Sequence, residues 1–508
     1  LPATSEFSAE AVDFRSTVGM ATLVDILSTE PFAKVALAAS LFLRSFRLVD
    51  WEPTRTEPRE ELAMSELLGD TPAIQTHAAP VEGQAQSLTP AQRKAVVAAT
   101  LGTIVEYTDW VIYATFASIL AKEYFPAGDS LTALLSVFAV FAVGFVMRPV
   151  GGAVLGAFAD RYGRKAGLTL SILLMSVASL VIGICPGYTS IGIAAPIILV
   201  LSRLVQGFSA GGEFGSASAF LVESAPAERR AFAGSWQWFA INAGTLVSFV
   251  LGYVLALVGS ESGLATWGWR VAFVVAALLG LITLWIRLSV GETEVFKKRV
   301  ATDGVPKNPL KDVLLRHRRD ALRVIGIAMA GNLLNYVWMV NYPSHINIVT
   351  GMSRSDTLLI GVISVALSLL VIPFVGKLAD RIGRKPVLVT FALLSALWAW
   401  PSFGLLYEGM TFAAALLMMT VGMLVMTGFA GAAAVFMVEQ LPAKVRVTGV
   451  ALPYALSVTL FGGTAPYIIT AMNGWGYGGF TWIYLAVVCL IAAKVYATLP
   501  ETKGTALR

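Results

Sequence analysis

The sequence predicts an all-α polytopic membrane protein with twelve transmembrane helices in two similar halves of six. Three observations carry that prediction. Of 508 residues, 56% are hydrophobic and 14% charged, with a mean hydropathy of +0.72; a soluble domain carries about 25% charged residues. Apolar runs on the order of 20 residues, enough to cross a hydrocarbon core about 30 Å thick as a helix, recur from Val96 to Leu499. Finally, the segment Gly156 to Lys165, GAFADRYGRK, returns 220 residues later as Gly376 to Lys385, GKLADRIGRK, each copy between two apolar runs. Duplicated halves in a membrane protein suggest a machine that rocks one half against the other.

Residues 1–95 are expected to form a cytoplasmic, disordered tail, because 54–92 is rich in Pro, Glu, Thr, Ala and Gln and cannot bury a core. The apolar patch Val35 to Leu43 is short for a span. It reads as a signal-like or interfacial segment, or as part of an upstream extension (1–63) before a start at Met64. The first six-helix bundle is placed at 96–290, with spans at 97–121, 131–158, 167–185, 194–222, 232–258 and 269–289. A polar cytoplasmic linker, 291–320, leads to the second bundle at 321–500. Its spans fall at 321–349, 356–378, 387–407, 411–439, 447–471 and 479–499. A cytoplasmic tail, 501–508, ends the chain.

Loop charge sets the expected orientation. Alternate loops hold Arg161, Arg164 and Lys165; Arg229 and Arg230; a basic run from Lys297 to Arg319; Arg381, Arg384 and Lys385; and Lys444 with Arg446. The opposite loops hold little charge. By the positive-inside rule the basic loops and both termini face the cytoplasm. The same rule accounts for the net charge of +5, and no basic stripe with interleaved aromatics points to nucleic acid. Two cysteines within apolar runs and three histidines suggest no disulfide framework, metal site or cofactor.

A second duplication supports the two halves. Val222 to Arg230, VESAPAERR, and Val438 to Arg446, VEQLPAKVR, lie 216 residues apart, close to the first offset.

These residues resemble the major facilitator superfamily. The repeated G-x-x-x-D-R-x-G-R-K loop after spans 2 and 8 is its most specific signature, and Arg203-Leu-Val-Gln206-Gly207 is similar to its R-x-x-Q-G pattern. The resemblance narrows to the metabolite:proton symporters through Glu106-Tyr-Thr-Asp109, through Gly144-Phe-Val-Met-Arg148-Pro149, and through Gly211-Gly212-Glu213. It covers residues 95–505. It implies the major facilitator fold and proton-coupled uptake of organic acids or zwitterions such as α-ketoglutarate, citrate, shikimate, proline or betaine. Thr108 departs from the family's usual aromatic between the span 1 acids.

Ionisable residues at membrane depth are costly and usually functional. Five stand out, all in the first half: Glu106, Asp109, Arg148, Arg203 and Glu213. Glu106 and Asp109 share a helix face. Arg148 lies about 18 Å above the inner end of span 2 at about 1.5 Å per residue. Three acids against two arginines suggest one net negative charge, which a bound proton neutralises. A substrate anion competing for an arginine frees an acid to take up that proton. Asp109 or Glu106 is therefore the expected proton carrier, and Arg148 or Arg203 the expected substrate contact. The same charges would also serve as a network holding spans together, and Glu213 among glycines is the most structural of them. Tyr113, Gln237, Asn332 and Asn335 are further substrate candidates, with helix packing as the alternative for each.

The repeated loops are expected to form a cytoplasmic gate: Asp160, Arg161, Gly163 and Arg164 in one copy, Asp380, Arg381, Gly383 and Arg384 in the other. Glu223 and Glu439 are the expected partners of Arg161, Arg381 or their neighbours. The predicted function is proton-coupled symport of a small organic anion, a mono-, di- or tricarboxylate, by alternating access. The partners are that anion, a proton and the lipid bilayer of a bacterial inner membrane, with the protein monomeric. Symport of a zwitterionic osmolyte stays open, as does a transporter-like sensor. An enzyme is disfavoured, because no convergent catalytic set appears.

Overall fold

The computed structural model describes residues 90–125, 130–162, 164–223, 225–288, 309–442, 445–505 and 507. Expectations for residues 1–89 and for most of the 291–320 linker lie outside the described residues.

Among the described residues, twelve long helices follow one another, some in two segments, with the short helices Tyr188–Ile191 between the third and fourth and Pro309–Arg316 before the seventh. In the first half, α1 is Pro90–Thr115 continued by Ala117–Tyr124, α2 is Ser130–Tyr162 and α3 is Arg164–Ile184. Next, α4 is Ala194–Ala210 continued by Glu213–Glu223, α5 is Arg230–Gly263 and α6 is Trp269–Leu288. In the second half, α7 runs through Arg318–Tyr336 and Tyr342–Thr350, α8 is Arg354–Ile382, α9 is Arg384–Gly404 and α10 is Phe412–Glu439. Finally, α11 runs through Arg446–Ser457 and Ala465–Gly474, and α12 is Thr481–Thr498. Ten of these are long and apolar enough to cross a membrane, and α3 adds the shorter apolar stretch Thr169–Ile184. α1 begins at Pro90, so the helix reaches into the segment assigned to the tail; proline suits a first helical turn, where its missing N–H leaves no bond unmade.

Burial sorts the helices into an inner and an outer set. Of the apolar stretch of each span, 83% is buried in α7 and 78% in α5 and α10, against 39% in α6 and α12 and 44% in α9. The outer helices carry exposed apolar side chains such as Trp285, Leu397 and Leu490. Such surfaces suit lipid.

The halves meet along several helix pairs, α5 with α8 and α2 with α11 among them. α5 and α8 touch through glycine: a Cβ on Gly361 would lie 2.7 Å from the Phe249 ring, and one on Gly376 would lie 3.0 Å from the Phe232 backbone. α2 and α11 meet where Pro149 interrupts the helix. Without an N–H, Pro149 leaves the carbonyl of Phe145 free, and that carbonyl accepts from Thr459 Oγ1 at 2.8 Å. Both α7 and α11 contain a π-helical turn, Val337–Asn341 and Val458–Gly463, an irregularity common at functional sites.

Within the first half, α2 and α4 approach at backbone distance. A Cβ at Gly207 would sit 1.7 Å from the Gly144 carbonyl, and one at Gly211 would sit 2.0 Å from the Arg148 carbonyl. Small residues permit such contacts between membrane helices. The Gly211–Gly212 pair also breaks α4, expected as one span, into two segments. These contacts fix the backbones that carry Arg148, Arg203 and Glu213.

Candidate functional site

All five charges singled out above are buried, and the structure resolves them into pairs. Arg148 Nη2 lies 3.5 Å from Glu106 Oε1. Arg203 Nη1 lies 3.8 Å from Asp109 Oδ2. Glu213 pairs with Arg287, a residue of the last turn of α6, at 2.5 Å. Arg287 corrects the sequence-based charge count. It is 4% exposed, so three acids face three arginines and the cluster is neutral before any proton binds. At the end of a long apolar run, Arg287 reads as an interfacial residue, and nothing in the sequence marks its inward direction.

The two central pairs differ in their surroundings. Asp109 is well supplied: Ser179 Oγ donates at 2.5 Å and Gln206 Nε2 at 2.7 Å, while Gln206 Oε1 accepts from Arg203 Nη1 at 2.7 Å. Gln206 stands one turn after Arg203 on α4, so one amide bridges the acid and the base. The Arg203 guanidinium is walled by rings, with its Cζ 4.0 Å from the Trp110 centroid and 4.3 Å from that of Tyr113. The Tyr113 hydroxyl donates to the Val137 carbonyl at 3.0 Å. Arg203 and Tyr113 are therefore packed between α1, α2 and α4.

Glu106 has one ion-pair partner among the described residues, Arg148, and both line a narrow cleft. Thr103, Tyr107, Ala210, Gly211, Phe214, Gln237, Tyr454 and Ala455 form the rest of its wall. The cleft thus draws on α1, α2, α4, α5 and α11, and so on both halves. Arg148 Nε and Nη2 are buried without a hydrogen-bond partner among the described residues. Its guanidinium lies 4.4 Å from the Trp110 ring and 4.5 Å from that of Phe145. Trp110 contacts both arginines, a cation–π arrangement that gains strength when dry. Sequence reasoning gave Trp110 no role, although it follows Asp109 directly.

The amide candidates separate. Gln237 lines the cleft. Asn332 Nδ2 donates to Ser457 Oγ at 3.3 Å, tying α7 to α11. Asn335 is buried in α7, with its Oδ1 unpaired among the described residues. Thr108 points away from the cleft, donating to the carbonyls of Ile104 at 2.7 Å and Gly244 at 3.1 Å; its place is an α1–α5 contact.

A second polar cluster lies at the face that carries the basic loops. The side chains of Asp160, Arg161 and Arg164, and Gly163 itself, lie outside the described residues. In the other copy, Asp380 crosses between the halves and caps α5, accepting from the backbone N–H groups of Ala231 and Phe232 at 2.9 Å each. Capping suits a carboxylate, because the first N–H groups of a helix have no internal partner. Arg384, 1% exposed, lies 3.4 Å from Asp380 and 3.3 Å from Glu439. Glu439 therefore meets Arg384 rather than its neighbour Arg381, which is exposed. Glu223 pairs with Arg446 at 2.7 Å, joining α4 to α11. Gly383 turns the chain at φ 107°, a left-handed conformation that favours glycine.

Residues from Glu501 complete this cluster, with no local signal in the sequence. Glu501 accepts from the backbone N–H groups of Arg384 and Lys385 at 3.0 Å each. Thr502 Oγ1 donates to Glu439 at 2.5 Å, and Arg230 Nη1 donates to the Thr505 carbonyl at 2.9 Å. Burial pushes the Glu501 carboxyl up, but the N–H groups of Arg384, Lys503, Lys385 and Thr502 outweigh it and hold the group below the usual carboxylate range.

Buried charge pairs within apolar helices, a cleft between two helical halves and a charged clasp at one face define a polytopic membrane transporter. Comparison with known proteins agrees. The sequence profile of the Major Facilitator Superfamily matches residues 99–453. The α-ketoglutarate permease of Escherichia coli K12 is 32% identical, over 82% of this chain and 95% of that protein. The proline/betaine transporter of Salmonella typhimurium is 33% identical, over 82% of this chain and 85% of that protein. A crystal structure of a D-xylose–proton symporter superposes with a TM-score of 0.65 at 22% identity, over 82% of this chain and 99% of that one, a likeness of fold. The chain belongs to the major facilitator superfamily, and within it to the metabolite:proton symporters.

Proposed function

We propose that this protein is a proton-coupled symporter that imports a small organic anion, a mono-, di- or tricarboxylate, by alternating access. The observation that carries the reading is the Glu106–Arg148 pair in the cleft between the halves. Arg148 has donors to spare, and a guanidinium fork matches a carboxylate. A substrate carboxylate that engages Arg148 weakens its hold on Glu106. Among the described residues Glu106 has no second ion-pair partner, so it then takes up a proton. With the cluster already neutral, one carboxylate and one proton enter together and leave it neutral. Substrate and proton therefore favour each other's binding, which is what symport requires. Asp109 and Arg203, joined by Gln206, support α1 against α4 and serve as the second proton-carrying candidate.

The clasp at the basic-loop face closes one entrance. We assign that face to the cytoplasm of a bacterial inner membrane, with both termini on that side, from loop charge. Asp380, Arg384, Glu439 and the residues from Glu501 hold the halves together there, and their release opens the site inward.

A zwitterionic substrate is the second reading. Tyr107, Phe214 and Tyr454 line the cleft beside the Glu106 carboxylate, and rings with an acid suit a quaternary or secondary ammonium. The relatives named above include one transporter of each kind. The deciding experiment is uptake into proteoliposomes under an imposed pH gradient, screened over mono-, di- and tricarboxylates, proline and betaine. Uphill accumulation of a carboxylate class supports the first reading, and of proline or betaine the second. Gradient-independent equilibration of every solute would overturn both.

A further inference from the structure

We infer that the Glu213–Arg287 pair is a second proton station, which receives the proton from Glu106 and passes it towards the basic-loop face. The inference rests on the symport reading above. It starts from α1, where Gly102, Glu106 and Asp109 are spaced four and three residues apart and so share one face. Each level of that face meets one acid–arginine pair. Asp109 meets Arg203, and Glu106 meets Arg148. At Gly102 the helix has no side chain, and the space is filled from outside: a Cβ there would lie 1.7 Å from Arg287 Nη2 and 2.6 Å from Glu213 Oε1. The three pairs therefore form a ladder with steps of about 4.5 and 6 Å along the helix.

The lowest rung lies on the way out. α1 rises from the basic-loop face while α4 descends to it, and Glu213 stands ten residues beyond Arg203 in that direction. Glu213 opens the second segment of α4, immediately after the Gly211–Gly212 break. Thr103 lies between Gly102 and Glu106 in the chain and lines the cleft; a hydroxyl accepts and donates, as a relay must. Packing alone does not call for this pair. Burying two charges costs more than burying apolar side chains of the same volume, and ionisable groups at this depth usually serve a pathway.

The proton balance is simple. When the loaded carrier opens towards the basic-loop face and substrate leaves Arg148, protonated Glu106 gives its proton to the Glu213 carboxylate, directly or through the Thr103 hydroxyl. Glu106 becomes anionic and rejoins Arg148. Glu213 then gives the proton to water on that face and rejoins Arg287, which stays charged throughout.

The test compares two transport modes in proteoliposomes. Counterflow exchanges labelled for unlabelled substrate without releasing a proton, whereas net uptake must release one each cycle. In Glu213→Gln, counterflow is expected within about threefold of wild type while pH-driven net uptake falls at least tenfold, and Glu213→Asp restores most of it. Since Glu213→Gln takes the paired carboxylate from Arg287, the double variant Glu213→Gln with Arg287→Gln is measured beside it and is expected to show the same split. Equal loss of both modes in the folded variants, or retention of both, would overturn the inference in favour of a packing role. Wild-type protein with no pH-driven uptake would overturn the symport reading itself, and this inference with it.

Discussion

Replacing Glu106 by Gln keeps the shape of the side chain and removes its charge. Glu106 lies 3.5 Å from Arg148. At that distance, and with an effective dielectric of about 20, their attraction is about 5 kcal/mol. In the wild type a substrate carboxylate competes with that attraction. In Glu106→Gln it does not, and the substrate becomes the natural counter-charge of a buried guanidinium. If only a third of the attraction, about 1.6 kcal/mol, passes into binding, affinity rises roughly tenfold. The variant also loses the group that takes the proton. Substrate binding by calorimetry or by quenching of Trp110 should therefore tighten and lose its pH dependence. Counterflow in proteoliposomes should persist, and accumulation against a gradient should stop. Uphill uptake by Glu106→Gln at the wild-type level would refute the reasoning, as would an unchanged affinity that still varies with pH.

Three further outcomes are expected. Gly207→Ala drives a Cβ to 1.7 Å from the Gly144 carbonyl, whereas one at Gly212 meets nothing within 4 Å; the first should lose about 1–3 kcal/mol or more through overpacking and the second almost nothing, as read by melting temperature in detergent. Asp380→Ala removes a cap, a change of about 0.5–2 kcal/mol, so accessibility labelling should show the basic-loop face open several-fold more often; unchanged labelling would remove Asp380 from the clasp. Because the Glu501 carboxyl is held below its ordinary range, its contribution is present above the unfolded value and is lost only as pH falls through the folded one. Exchange at the Arg384 and Lys385 amides should thus show no opening of this contact between pH 6 and 8, once normalised to intrinsic rates, and should rise in Glu501→Ala at pH 7.

Much of the architecture was legible in the sequence, because span length and loop charge are imposed by the bilayer itself. The twelve spans and the two halves follow from runs such as 356–378 and from the two DRxGRK loops. Glu106, Asp109, Arg148 and Arg203 also declared themselves, since a charge inside an apolar run is conspicuous. Pairing was less legible. Arg287 sits at the end of a run, where an arginine ordinarily faces headgroups, and only the glycine at 102 in another helix lets it turn inward. Gln206 was visible as part of a motif, but its bridge between Asp109 and Arg203 needs the packing of α1 on α4. The clasp formed by Glu501 and Thr502 had no local signal, because it depends on the free N–H groups at the start of α9. Asn332 was legible as a polar residue within an apolar run, yet its bond to Ser457 comes from a helix 125 residues away.

The central claim is that substrate and proton move together through the Glu106–Arg148 cleft. It is tested most directly by adding substrate to proteoliposomes at equal pH inside and out, with a pH dye in the lumen and the potential clamped. The account predicts that wild-type protein acidifies the lumen in proportion to substrate entry and that Glu106→Gln does not. Substrate entry into wild-type vesicles at constant lumenal pH would contradict it.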